Sequence, residues 1–253
     1  MTVKELYEKL DKRIPESLSE PWDNDGLMCS PDTSQEVKRA LLTLDVTEEI
    51  VDYAIERSYD LIISHHPLIF RPVSHISEDN HVARKLIKLI NNGISVFSFH
   101  TRLDKVDGGV NDTLASRIGL SELQKFGEGE LGRVGVLPRE MELDEFLDGV
   151  KTALSCDSLR FANGYNVVRK VALVGGDGKD YVLDAIKTGA DTYISGRISY
   201  NLMEEAAELG INLIEAGHYH TEAPVLDFLA ELIAGFDMSL TVDFADSNMI
   251  ELV

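Results

Sequence analysis

Cysteine, positive charge and long hydrophobic runs are all scarce in this sequence. Only two of its 253 residues are cysteines, Cys29 and Cys156, and no CxxC pair occurs. This scarcity excludes a disulfide framework or a thiolate zinc site and favours a reduced, cytoplasmic setting. Because free cysteine behaves as a small apolar residue, we predict that both thiols pack in the interior. The longest apolar runs, such as those at 61–63 and 171–174, are as short as strands and cannot span a membrane.

Acidic side chains greatly outnumber basic ones. The chain has 24 Lys and Arg against 44 Asp and Glu, a formal net charge of −20. Most of the surface therefore repels nucleic acid and anionic lipid, and cations are natural partners. The N-terminal segment MTVKELYEKLDKR has the pattern of a charged amphipathic helix rather than a signal peptide.

An internal repeat organises the chain. Residues 39–64 align without a gap on residues 170–195, so that Leu42 falls on Leu173 and Asp60 on Asp191. Each copy has the pattern of an apolar strand, a helix and a second apolar strand. A helix that ends at glycine (Gly93 or Gly210) and a third strand follow in both copies. The first copy carries extra residues, which we place in the loop after the His65-His66 pair.

The remaining segments complete two related α/β units produced by internal duplication, with strands covered by helices on both faces. Residues 131–136 are predicted to form a strand, 142–154 a helix and 239–244 a last strand. The fold class is therefore α/β. We place the first unit at 1–128 and the second at 129–253, and the chain ends could cross over between them.

Histidine is concentrated in three segments, SHHPL, FHTRLDKVDGGVND and GHYHTEAPV, each directly after a predicted strand. Five of the seven histidines lie in them: His65, His66, His100, His218 and His220. Loops at the carboxyl ends of strands are where α/β sheets hold ligands. Nitrogen and carboxylate donors without thiolate suit Zn, Fe, Mn, Co or Ni, so the pattern predicts a metal site.

Four motifs occur in order along the chain: WDNDGL at 22–27, SHHP at 64–67, HTRLD with GGVND at 100–112, and GHYHTE at 217–222. Together they resemble the motifs of the Nif-three-like family, whose bacterial members carry the name GTP cyclohydrolase 1 type 2 homolog. The resemblance covers the chain from end to end and corresponds to the short form of the family, without its inserted domain. It implies two α/β domains with a dinuclear metal site in the cleft between them, and assembly into a toroidal homohexamer.

Matched motif by motif, the resemblance assigns five ligands for two divalent ions per chain: His65, His66, Asp104, His218 and Glu222. It assigns His100 as a partner behind the ligands or as a proton shuttle. His220 is equally consistent with a surface position and with a place behind the ligands.

Other candidates have two readings each. Asp23, Asn24 and Asp25 either line the cleft or cap a helix. The glycine-rich segment 175–178 follows a strand as a phosphate loop would, but its acidic residues favour a tight turn. Arg71, Arg102 and Lys105 either bind the phosphates of a substrate or balance the charge of Asp104 and Glu222.

Two functions follow. A pair of ions bridged by carboxylates is the equipment of a metal-dependent hydrolase, acting on a small phosphorylated or nucleotide substrate. The alternative is a non-catalytic protein that stores or delivers metal.

Overall fold

The computed structural model describes residues 1–250. Their helices are α1 (Val3–Arg13), α2 (Glu48–Glu56), α3 (His81–Asn91), α4 (Thr101–Lys105), α5 (Val110–Arg117), α6 (Leu143–Leu154), α7 (Val182–Lys187), α8 (Tyr200–Glu208), α9 (His218–Glu222) and α10 (Val225–Phe236). Their strands are β1 (Gly26–Cys29), β2 (Arg39–Thr43), β3 (Leu61–Ser64), β4 (Ser95–Ser98), β5 (Ser121–Phe126), β6 (Gly132–Met141), β7 (Arg160–Ala162), β8 (Val168–Val174), β9 (Thr192–Ser195), β10 (Asn212–Glu215) and β11 (Thr241–Phe244). Short 3-10 turns occupy Glu16–Leu18, Glu128–Glu130 and Lys179–Tyr181.

The first sheet has the strand order β1-β4-β3-β2-β11. β11, β2, β3 and β4 run parallel, and β1 pairs antiparallel with β4. Every residue of β3 and β4 is buried. The apolar runs therefore form strands covered on both faces, as the sequence predicts.

The second sheet has the order β5-β6-β8-β9-β10-β7. Its β8, β9 and β10 are parallel, whereas β6 pairs antiparallel with β8 and the edge strand β7 pairs antiparallel with β10. Helix α6 buries one face against this sheet through Phe146, Leu147 and Val150.

The two sheets repeat one arrangement, which confirms the predicted α/β class with two related units. In the first, β2, α2, β3, α3 and β4 follow one another, and in the second β8, α7, β9, α8 and β10 do so. In both, the third parallel strand carries a short antiparallel edge strand. The connection between β3 and α3 (65–80) is much longer than that between β9 and α8 (196–199), so the extra residues lie where the sequence places them.

Local signals explain where several helices begin and end. Thr2 and Glu5 form a capping box at the start of α1, and Val3, Leu6 and Leu10 are its buried face. Gly93 after α3 and Gly210 after α8 have φ of 70° and 77°. A residue with a Cβ is strained in this left-handed conformation, so both copies use glycine there.

The compact units follow a different division from the one proposed from sequence. The first comprises Met1–Val106 and Leu226–Met249, and the second comprises Asp107–Val225 with Ile250. Leu114 and Ile118, in and just after α5, pack in the core around β6 and β8, which explains why the second unit begins before residue 128. β11 pairs with β2, so the chain's end returns to the first unit.

The remaining predicted elements are found at β6, α6 and β11; α6 and β11 lie within two residues of the predicted bounds, whereas β6 continues to Met141, beyond the predicted end at 136. Cys29 is partly buried and Cys156 is buried, each against a hydrophobic core, and burial raises the pKa of both thiols. Within residues 1–250, no helix is both long enough and apolar enough to cross a membrane.

Candidate metal centre

The parallel strands of the first unit end at one edge of the sheet, and their next residues form a polar cluster. His65 and His66 directly follow β3, Asp45 lies two residues beyond β2, and His100 lies two residues beyond β4. The backbone N–H of His65 donates to the carbonyl of Thr43. Neighbouring parallel strands thus bring side chains from distant parts of the chain to one place.

His65 is fully buried, and its ring orientation is fixed by the backbone. Its Nδ1 lies 2.9 Å from the carbonyl oxygen of Phe99. A carbonyl only accepts, so Nδ1 carries the hydrogen and Nε2 carries the lone pair of the neutral ring. Nε2 lies 3.6 Å from a carboxylate oxygen of Asp104.

His66 has the same ring polarity. Its Nδ1 lies 2.8 Å from Oδ1 of Asp45, which as a carboxylate accepts the hydrogen bond. This again makes Nε2 the basic atom. A metal-binding histidine generally donates its other ring N–H to a carboxylate or carbonyl, and both histidines do so.

His100 completes a group of three imidazoles. One ring nitrogen from each of His65, His66 and His100 lies within 4.8 Å of the others. His100 Nδ1 lies 2.9 Å from Oδ1 of Asp23, so this ring has the same polarity as the other two. The imidazoles of His65 and His66, with the Asp104 carboxylate beside His65, are a donor set that fits a divalent transition-metal ion, and the His100 ring lies next to them.

Asp23 is held by several donors besides His100. Its other oxygen accepts from the backbone N–H of Thr101 at 3.0 Å and from the Thr101 hydroxyl at 2.6 Å. Burial works against the charged form, but the hydrogen bonds from His100 and Thr101 outweigh it and hold the pKa of Asp23 well below its usual range. Burial likewise opposes protonation of His100, yet Asp23 and the charge of Asp104 raise its pKa overall.

The WDNDG segment therefore caps α4 through Asp23, which is one of the two interpretations of the sequence, and it also contacts the histidine cluster. Asp25 accepts from the backbone N–H of His100 at 3.2 Å, and Asn24 donates to the carbonyl of Ile69. The exposed rings of Trp22 and Phe70 stand 6.3 Å and 6.2 Å from the His100 ring.

The second unit carries a smaller pair of donors on α9. His218 and Glu222 lie one turn apart on this helix, with 3.1 Å between Nε2 and Oε2. Glu222 is buried, whereas His218 is partly exposed. Imidazole and carboxylate four residues apart on a helix can bind one ion together.

The glycine-rich loop at 175–178 makes room for this pair and is a bend rather than a phosphate loop. The backbone N–H of Gly176 donates to the Thr221 hydroxyl at 3.0 Å. Gly176 has φ of 64°, and a Cβ there would overlap a carboxylate oxygen of Glu222. His220 lies to the side, against Tyr219 and Gly217.

The three cations proposed from sequence occupy different environments. Arg102 is fully buried, with Nη1 2.6 Å from Asp11 and Nε 3.1 Å from Asp25. Lys105 lies 2.5 Å from Glu20. These ion pairs with the N-terminal segment favour a structural role for both. Arg71 is exposed.

Sequence reasoning missed Asp45, although it too follows a buried strand. A lone aspartate at the start of a loop also caps helices and turns, so only the fold separates these roles.

Comparison with known proteins identifies the family of this chain. The sequence model described as Duf34/NIF3 (NGG1p interacting factor 3) matches residues 1–250. A GTP cyclohydrolase 1 type 2 homolog of Clostridium perfringens is 38% identical over 240 residues, which cover 92% of this chain and 91% of the relative. A Staphylococcus aureus hypothetical protein, SA1388, has a crystal structure with a TM-score of 0.89 and 28% identity, covering 100% of this chain and 99% of that one. Reduced HcgD from Methanocaldococcus jannaschii has a TM-score of 0.84 and 27% identity, covering 96% and 97%. The chain belongs to the Duf34/NIF3 family.

Proposed function

We propose that this protein binds two divalent transition-metal ions per chain and uses them to hydrolyse a small substrate. The proposed ligands are His65, His66 and Asp104 together with His218 and Glu222. One observation carries the proposal: in all three clustered imidazoles Nδ1–H donates to an oxygen, which makes Nε2 the basic atom.

When bound, such ions activate a water and polarise an electrophile. The hydrogen bond to the Phe99 carbonyl and the burial of His65 fix the orientation of its ring, with Nε2 as the atom that would bind an ion. His100 is oriented by Asp23, and its Nε2 can take up a proton and return it during hydrolysis. The relatives' name points to GTP, and we extend only the reaction class to this chain. We further propose that the protein is cytoplasmic and homohexameric, and the acidic surface disfavours nucleic acid as a partner.

The first experiment is a metal count. The purified protein is stripped with chelator, reloaded separately with Mn, Fe, Co, Ni or Zn, desalted and analysed by mass spectrometry for metal content. We expect two ions per chain. His65→Ala and His218→Ala should each hold fewer, whereas His75→Ala, at an exposed position, should match the wild type. One ion or none in the reloaded wild type would contradict the proposal.

The second experiment separates the hydrolase from a metal store. The loaded protein is assayed against phosphoester, nucleotide and amide substrates, with the stripped protein as control. Ion-dependent turnover that falls in His100→Ala while the metal content stays constant supports catalysis. A fully loaded protein without turnover that releases its ions to a weak chelator supports storage or delivery.

A further inference from the structure

The long connection between β3 and α3 encloses a cavity that the second unit has no chain to build. The connection comprises residues 65–80, whereas the corresponding connection in the second copy comprises only residues 196–199. With the first turns of α3 they bound a cavity of about 410 Å³. An insertion present in only one copy of a duplicated unit, next to the clustered histidines, points to a use that the fold itself does not require.

The lining of this cavity is cationic, in a protein whose surface is mostly anionic. Arg71 and Lys85 contribute the positive charge, and none of the lining residues, all within the described part of the chain, is Asp or Glu. Arg71 is exposed. The Lys85 ammonium donates to the carbonyl of Val46 at 2.6 Å, and burial lowers its pKa against the opposing charges of Asp45 and Glu48. We therefore assign the main charged contact to Arg71.

The loop carries two acidic residues, Glu78 and Asp79, and neither of them lines the cavity. Asp79 accepts a hydrogen bond from Ser77 and lies 4.0 Å from His75. Asn80 caps α3 by accepting from the backbone N–H groups of Val82 and Ala83. The positive end of the α3 dipole thus also lies at the cavity, where it favours an anion.

The cavity shares a wall with the histidine cluster. Pro67 directly follows His66 and lines the cavity. Phe70 also lines it, and its ring stands 6.2 Å from the His100 ring and nearly perpendicular to it. A molecule that contacts Phe70 can therefore have one end at Arg71 and the other at the clustered imidazoles.

We propose that this cavity binds the phosphoryl group of a small organic phosphate, with Arg71 as its charged contact and Phe70 against its organic part. Arg guanidinium matches phosphate oxygens in a bidentate geometry, and the apolar wall selects an ester over free phosphate. The inference rests on the proposed function in one respect, namely that the group facing the histidines is the one that reacts.

The test measures anion binding with and without metal. Phenyl phosphate and inorganic phosphate are titrated into the stripped and the metal-loaded full-length protein by calorimetry. The variants are Arg71→Ala, Arg71→Lys, Phe70→Ala and, as a control with the same change in charge, Arg13→Ala. Arg13 is an exposed residue at the end of α1.

We expect the stripped protein to bind phenyl phosphate more tightly than phosphate. Arg71→Ala should weaken the binding of phenyl phosphate at least about tenfold, which corresponds to ~1.4 kcal/mol, because the charged contact to the phosphoryl oxygens is lost. Arg71→Lys should recover part of the loss, Phe70→Ala should remove the preference for the ester, and Arg13→Ala should match the wild type.

Two results would overturn the inference. One is wild-type affinity in Arg71→Ala, and the other is binding that occurs only in the loaded protein, because the anion then sits on the ions. The metal count tests the proposed function separately from the phosphate site. If the protein takes up no ions but binds phenyl phosphate through Arg71, the metal proposal is wrong and the phosphate site is supported.

Discussion

Asp23 and His100 are joined by a 2.9 Å hydrogen bond across 77 positions of sequence, from the imidazole Nδ1–H to a carboxylate that also caps α4. The same aspartate therefore fixes both the direction of an imidazole and the start of the helix that carries Asp104. A carboxylate with three donors from His100 and Thr101 is held in one orientation. The hydrogen bonds of Asp23 therefore fix the orientation of the His100 ring relative to α4.

Asp23→Asn tests this pair through the pH dependence of stability. The pKa of Asp23 is held well below its unfolded value of ~3.9, so the carboxylate stabilises the folded chain above that pH. This contribution is lost as pH falls below ~4 towards the folded pKa. We expect the variant to lose ~2 kcal/mol of unfolding free energy at neutral pH. The difference in unfolding free energy between the wild type and the variant should become smaller in acid.

Urea denaturation at neutral pH and near pH ~3 measures the difference in unfolding free energy between the wild type and the variant at each pH. Asp148→Asn, at an exposed position of α6, is the control and should stay within ~0.5 kcal/mol of the wild type. A gap that is equal at both pH values would mean that the charge of Asp23 is not its source.

Much of the fold can be predicted from the sequence, because buried parallel strands produce continuous apolar runs and the repeat doubles each signal. The placement of histidines at the ends of β3, β4 and β10 follows from the same pattern. The edge strands β1 and β7 could not be predicted, since a short strand at an edge has exposed positions, such as Leu27 and Phe161, without a clear period.

The orienting partners in the site were the harder part. That Asp45 contacts His66 depends on the register between β2 and β3, and that Asp23 contacts His100 depends on where the N-terminal segment crosses β4. Arg102 shows the same limit. Its sequence context next to a metal motif resembles that of a ligand-binding arginine, and only the fold reveals that it is buried against Asp11 and Asp25.

Gly176→Ala should disable the donor pair of the second unit. A Cβ at this position would overlap the Glu222 carboxylate, and alanine is strained at φ of 64°. We expect fewer bound ions per chain and a loss of ~1–3 kcal/mol of unfolding free energy.

Gly149→Ala is the matched control, because no atom lies within 4 Å of its added Cβ within α6. Alanine favours a helix, so this variant should gain up to ~1 kcal/mol and keep its ions. Metal analysis measures the ion content of both variants, and urea denaturation measures their unfolding free energies. Full ion content in Gly176→Ala would show that Glu222 is not a ligand.

Arg102→Ala distinguishes a structural arginine from one that binds substrate. Removing the guanidinium leaves the buried Asp25 carboxylate without its charge partner, which costs ~3–5 kcal/mol. Arg71→Ala, at an exposed position, should change stability by less than ~0.5 kcal/mol. Wild-type stability in Arg102→Ala, measured by thermal and urea unfolding, would contradict the structural role.

Metal removal should destabilise the protein if the ions bind only the folded chain. An ion at a concentration of 100 times its Kd adds ~2.7 kcal/mol to the unfolding free energy. The melting temperature of the loaded protein should therefore fall on addition of chelator, and His65→Ala should show a smaller fall. Equal melting temperatures with and without chelator would contradict coupling between metal binding and folding.

The hexamer can be tested through its response to salt. With a net charge of −20, like-charged subunits repel one another, so association must rest on apolar burial. The second unit offers exposed apolar side chains at Phe161, Tyr165 and Tyr200, near a groove of about 480 Å³ between β7 and α8.

Screening weakens the repulsion and leaves apolar burial intact, so we expect the assembly to persist at high ionic strength. Phe161→Asp should weaken it, and Lys12→Asp, at an exposed position of α1, is the control. Light scattering at low and high salt reads the mass, and a species of 28.1 kDa at both would contradict the hexamer without affecting the metal centre.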